Sequence, residues 1–182
     1  MNTEAIDQPT TVPAAAEPGL EQTVSRLAHE LAQAHYPNAD RAALKRWTPS
    51  APLPLAYYRL WLQHLRTEPP PEQQTLDWMA IVWGLALSGS KAHQAQRALG
   101  EALAQSGFAQ ARLERLLSAP EALRFDFYQS AVRFLAAKSE GCNWTDWALY
   151  LLTHDPEKRE SLHRRIALGY YRHLPSPSGT EN

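Results

Sequence analysis

Residues 73–87 (Gln-Gln-Thr-Leu-Asp-Trp-Met-Ala-Ile-Val-Trp-Gly-Leu-Ala-Leu) restrict the fold more than any other stretch. Leu76, Met79, Ile81, Val82, Trp83, Leu85 and Leu87 leave almost no polar side on a helix. A helix that is apolar all round must be surrounded by other elements. Its longest apolar part, Met79–Leu87, is too short to span a bilayer. The chain therefore has to wrap this helix itself, and its 182 residues suffice for one domain or two small lobes with a sizeable core.

The flanking segments read as that wrapping. Leu20, Val24, Leu27, Leu31 and Ala34 recur at helical spacing over 20–35, and Leu55, Tyr58, Leu62 and Leu65 do so over 55–66. Pro49, Pro52 and Pro54 break the chain between them, and Pro69–Pro71 form a stiff linker. Further helices are expected over 92–105 (Ala95, Leu99, Ala102, Leu103), ending near Gly107, and over 109–117. Another runs from Pro120 to about Lys138, with Leu123, Phe127, Ala131 and Phe134 inward. Asn143 is placed to cap a helix holding Trp144, Trp147, Leu151 and Leu152. Asp155 with Pro156 signals the start of the last helix, whose inner face is Leu162, Ile166, Tyr170 and Leu174. No alternating β-branched run is long enough for a strand. The expected class is all-α, an antiparallel bundle of about eight or nine helices. Residues 1–19 read as a disordered arm and 175–182 as a disordered tail around a helical domain over 20–174. Ser88–Ser90 marks a candidate boundary between two lobes.

Charge placement says more than net charge, which is −1. Residues 1–40 hold six acids and one base, Arg26, whereas 41–66 hold five bases and no acid. Residues 161–174 hold Arg164, Arg165 and Arg172, again without an acid, plus His163 and His173. A near-neutral chain can thus present basic faces. The stretch Asp40–Trp47 reads as a short helix capped by Asn38 or Asp40 and stopped by Pro49. Arg41 and Lys45 share a face, with Arg46 beside them, and no acid within the helix neutralises it. Such a knob suits phosphate, as do Arg112 with Arg115 and Arg165 with Arg172, flanked by Arg164. Arg97, Arg133 and Lys138 also fall outside apolar stripes. Scattered cations of this kind favour nucleic-acid contact without base reading. The sequence carries no zinc finger, RRM signature or Gly-rich KH loop.

Catalytic patterns fail on inspection. Gly84, Gly89 and Lys91 resemble a phosphate loop, but the lysine comes one place late and a helix precedes it. His154-Asp155 lacks the later aspartate that a metal-dependent phosphohydrolase needs. His29 and His35 are wrongly spaced for one helical ligand pair. The single cysteine, Cys142, excludes both an intrachain disulfide and cysteine-rich zinc sites, and it reads as a structural thiol. We expect no enzyme, cofactor or metal. The lack of a signal peptide and of disulfides points to the cytoplasm.

The order of segments resembles the CasB family, the small subunit of the type I-E CRISPR surveillance complex called Cascade. The resemblance runs over residues 21–174. It is carried by Asp40-Arg-Ala-Ala-Leu-Lys-Arg46, Tyr57-Tyr-Arg-Leu-Trp61, the apolar Trp78–Leu87 and Leu99-Gly-Glu-Ala-Leu103. Arg112-Leu-Glu-Arg-Leu-Leu117, Asn143-Trp-Thr-Asp-Trp147 with Leu151-Leu152, and His163-Arg-Arg…Gly169-Tyr-Tyr-Arg172 follow. Ile166-Ala167 stands where many members carry Trp-Ala. The resemblance implies an all-helical, non-catalytic subunit, usually present in two copies. Its partners would be the other Cascade subunits, crRNA and target DNA, with no membrane. Nucleic-acid contacts then fall first to Arg41, Lys45 and Arg46, and next to Arg112, Arg115, Arg164, Arg165 and Arg172. Two other readings compete: a helical adaptor that binds only protein, and a helical regulator that binds one particular duplex.

Overall fold

The computed structural model describes residues 19–174. The tail expected over 175–182, and all of the expected arm except Gly19, lie outside them. Nine α-helices follow one another among the described residues: α1 (Leu20–Ala32), α2 (Asn38–Arg46), α3 (Leu55–Arg59), α4 (Thr75–Ser88), α5 (Leu99–Gln105), α6 (Gln110–Leu117), α7 (Glu121–Ala137), α8 (Trp144–Leu152) and α9 (Pro156–His173). A π-helical turn, Leu60–His64, continues α3, and a 3-10 turn, Glu72–Gln74, leads into α4. No strand forms among them; one isolated bridge joins His93 to Cys142. The fold is all-α.

The centre is the apolar helix. Every residue of α4 from Trp78 to Ala86 is buried. It packs against α1 and α2 from one part of the chain and against α7 and α8 from the other. All six tryptophans lie in this core: Trp47, Trp61, Trp78, Trp83, Trp144 and Trp147. The hydroxyl of Tyr128 donates to the Ala80 carbonyl across the α4–α7 contact, at 2.9 Å. The anticipated caps are in place. The Asn143 side chain accepts from the Thr145 N–H at 3.0 Å, and Asp155 accepts from the Lys158 N–H at 2.9 Å with Pro156 opening α9.

Four expectations need correction. Most of the stripe expected over 55–66 faces outward: Leu55 is 70%, Tyr58 40% and Leu62 49% exposed, and only its Leu65 is buried, whereas Tyr57, Leu60 and Trp61 are all buried. The aromatic side is the one packed, with Trp61 edge-on to Trp78 at 5.5 Å. On α7 the expected Ala131 is buried and Phe127 and Phe134 pack partly buried against the core, but Leu123 is exposed, and Arg124, Tyr128, Val132 and Leu135 make up the rest of the inward side. The helix expected over 92–105 begins only at Leu99. Residues 92–94 are instead drawn to the start of α8, where the Trp144 N–H donates to His93 Nδ1 and the Cys142 N–H to the Ala92 carbonyl. Leu174 lies beyond α9 and is exposed. Near the other end of α5, Gly107 adopts φ 75°, the left-handed turn that lets α6 follow at once.

Candidate nucleic-acid interface

An arginine is available to phosphate only if the protein has not already used its fork, so the partners of each cation decide the site. Several are committed. Arg41 donates to the carbonyls of Leu31 (3.1 Å) and Gln33 (2.9 Å) and to Asn38 Oδ1 (2.9 Å). It thereby satisfies carbonyls that α1 leaves open at its end, and it ties α2 to α1. Its place in the sequence pattern as a phosphate contact is thus shared with a structural task. Arg59 grips Asp40 with two parallel bonds, Nε at 2.9 Å and Nη2 at 2.5 Å. Arg97 holds Glu140 and the Gly141 carbonyl. Arg159 pairs with Glu121 at 2.8 Å. Arg124, only 4% exposed, lies over the Tyr150 ring at 4.7 Å. Arg165 donates to Asp146 at 2.8 Å.

Others are exposed and carry no ion pair or side-chain hydrogen bond among the described residues. Lys45 and Arg46 project from the end of α2, where cations also suit the helix dipole. Arg112 and Arg115 are exposed on α6, beside the buried Leu113 and Leu116. Arg164 and Arg172 are exposed on α9, with Leu168 (45% exposed) and Tyr171 (48% exposed) among them. Arg164 borders a shallow groove of ≈ 540 Å³ between α6 and α9, lined also by Leu113, Leu117, Ala167 and Tyr171. Glu114 and Glu160 reach the same groove and counter Arg164 there, and neither Arg112 nor Arg115 lines it. The sequence-predicted cations lie on three helices, α2, α6 and α9, with Arg41 and Arg165 already paired within the fold. Arg66, Lys91 and Lys158 are further unpaired, exposed cations that helical spacing did not single out. His163 adds no charge to the α9 face at neutral pH: burial, then Arg124 and Arg159, hold its imidazole below the ordinary value.

The Asp40–Arg59 grip has a pH signature. The Arg59 hydrogen bonds hold the Asp40 carboxyl below the usual carboxylate range, against the opposing effect of burial. A carboxyl lowered in the folded state contributes stability that is fully present above its unfolded pKa of about 3.9 and is lost as pH falls through the folded value. Arg59→Ala is therefore expected to flatten the acid limb of a stability–pH profile below that point, measured by urea unfolding at stepped pH. The variant should also be less stable than wild type at neutral pH.

Catalytic features are few. The Cys142 thiol is buried, and burial pushes its pKa far up, which suppresses the nucleophilic thiolate. Among the described residues no three His, Cys, Asp or Glu side chains are grouped to hold a metal ion. No helix of the described residues is long and apolar enough to cross a membrane.

No curated protein matches the chain. The crystal structure of a CRISPR-associated protein of the Cse2 family from Thermus thermophilus is similar, with a TM-score of 0.65 and 21% identity, covering 84% of this chain and 97% of that one. At that identity the likeness establishes the fold. The family model described as CRISPR-associated protein Cse2 matches residues 40–171, most of the chain. From this match the chain belongs to the Cse2 family of CRISPR-associated proteins, which in type I-E systems is also called CasB.

Proposed function

We propose that this chain is the non-catalytic small subunit of a type I-E Cascade complex in the cytoplasm. In this reading it steadies the crRNA–target DNA R-loop and the displaced strand by contacts to phosphates. The observation that carries the proposal, in a chain of this family, is the set of exposed and unpaired cations on α2, α6 and α9: Lys45, Arg46, Arg112, Arg115, Arg164 and Arg172. Contacts of that kind carry no base code, which suits a machine whose guide RNA does the reading. A displaced single strand needs a basic track and no more. The committed cations, Arg41 and Arg165, act first on the fold and only secondarily on the strand. The other Cascade subunits and a second copy of this chain are the expected protein partners.

Affinity purification at native salt tests membership. The protein should be recovered with a stoichiometric set of larger subunits carrying one class of short RNA. Recovery alone, or with unrelated proteins and no RNA, would replace this reading with that of a protein-only adaptor.

A further inference from the structure

His93 joins two helices that lie far apart in the chain. Its Nδ1 accepts the Trp144 N–H at 3.1 Å, and its Nε2 lies 3.2 Å from Ser25 Oγ on α1. A backbone N–H can only donate, so Nδ1 must present a lone pair. The ring proton then sits on Nε2 and is donated to Ser25, which makes the imidazole neutral and of one tautomer. Trp144 opens α8, and His93 completes the acceptors at that helix start. The Asn143 N–H goes to the Arg97 carbonyl at 2.6 Å, the Thr145 N–H to the Asn143 side chain at 3.0 Å and the Asp146 N–H to the Asn143 carbonyl at 3.1 Å. The backbone around His93 is pinned on both sides. The Cys142 N–H donates to the Ala92 carbonyl at 3.0 Å, and the Gln94 N–H donates to the Cys142 carbonyl at 2.9 Å.

We infer that His93 is a proton-sensitive latch between α1 and the start of α8, closed while the imidazole is neutral and opened when it takes a second proton. That proton would sit on Nδ1 and face the Trp144 N–H, donor against donor, at the positive end of the α8 dipole. Little around the ring would offset it. Glu21 on α1 favours the charged form, but burial is the larger effect and holds the imidazole below its ordinary value. Asp146 on α8 is spent on the Leu99 N–H and Arg165, and the buried Cys142 thiol stays neutral. On the segment of His93 itself, Arg97 is held by Glu140, and Lys91 is exposed. A histidine lowered in the folded state leaves stability whole above its unfolded pKa of about 6.5, and stability is lost as pH falls from there to the folded value. The latch is independent of the function proposed above.

Proton–nitrogen correlation spectra of the full-length protein test the latch. At neutral pH the His93 ring should show an unprotonated Nδ1 and a protonated Nε2. As that ring titrates on acidification, the Trp144 amide should lose its protection from hydrogen exchange, after correction for the intrinsic pH dependence of exchange. Urea unfolding at stepped pH gives a second reading. His93→Asn keeps an acceptor near the Nδ1 position and cannot take the proton. The folding constant of wild type relative to His93→Asn should therefore fall below about pH 6.5, by at most about tenfold per pH unit, the limit for one proton. His163, which burial also holds low, is present in both proteins and cancels. A protonated Nδ1 at neutral pH, a Trp144 amide still protected after the ring has titrated, or parallel stability profiles for the two proteins would each overturn the latch. The wild-type spectra decide the question even if His93→Asn fails to fold.

Discussion

Gly100→Ala should lower stability by about 3 kcal/mol, the upper part of the range for forcing extra volume into a packed site. In a chain of this size that is a fall of about 6–12 °C in Tm. Gly100 sits where α5 crosses α9, the most extensive helix contact in the fold. A Cβ there would stand 2.1 Å from the Ile166 carbonyl oxygen and 2.7 Å from the Tyr170 nitrogen. Both are backbone atoms, so no side-chain rotation relieves the clash and α9 must retreat. Helix propensity acts the other way, favouring Ala by about 1 kcal/mol, but it is outweighed. Gly169 supplies the control. It lies on α9 at the same crossing, but its added Cβ would meet the Gly100 Cα at 3.5 Å, an ordinary contact. Gly169→Ala should therefore be neutral or stabilising by up to about 1 kcal/mol. Urea unfolding of the two variants reads both results. Equal stability of Gly100→Ala and wild type would mean that α9 is not seated this closely, and with it Arg164 and Arg172.

Asp146→Ala should cost about 3 kcal/mol, from a buried donor left without a partner together with a lost ion pair. The carboxylate is buried in the first turn of α8. One oxygen accepts the Leu99 backbone N–H at 2.9 Å, which closes the start of α5 from outside. The other accepts Arg165 of α9 at 2.8 Å. Its removal orphans the Leu99 N–H, and that loss dominates. The Arg165 tie is worth less, because that side chain is 58% exposed and solvent screens it. Arg165→Gln should accordingly cost under about 1 kcal/mol. The same ion pair ranks the arginines of α9 for binding. Arg172→Gln should weaken strand binding more than Arg165→Gln, because Arg165 must first give up Asp146. Comparable stability losses in Asp146→Ala and Arg165→Gln would show that the ion pair, not the backbone cap, holds this corner.

The caps and the central helix were legible because their causes are local. Asn143 and Asp155-Pro156 act on residues two and three places away, and an all-apolar Trp78–Leu87 admits only burial. The packed side of α3 was not legible. Leu55, Tyr58 and Leu62 make as good a helical stripe as Tyr57, Leu60 and Trp61, and only Trp78, brought from α4, selects the second. Arg124 was hidden for the same reason: its burial depends on the Tyr150 ring and the Thr153 carbonyl, both from a later part of the chain. Residues 92–105 had helical spacing at Ala95, Leu99 and Ala102, but Cys142 and Trp144 claimed Ala92 and His93 first. The site divides likewise. Which residues are cationic is written in the order of the chain. Which of them are spent is decided by Leu31 and Gln33 at Arg41, and by Asp146 at Arg165. Linear spacing holds no trace of those partners.

The most direct measurement is the affinity of the assembled complex for a target-DNA R-loop when it carries Lys45→Glu with Arg46→Glu. Arg41 is left in place because its guanidinium holds α1 to α2. Both substituted side chains are exposed and unpaired, so the reversal costs only their favourable place at the end of the α2 dipole, about 0.3–1 kcal/mol each, and the subunit should stay folded and enter the complex in normal amount. The account predicts weaker R-loop binding, with a shallower dependence on salt and no change in preference among target sequences. Unchanged affinity and salt slope in a fully assembled complex would contradict it, and would take the α2 knob out of the interface.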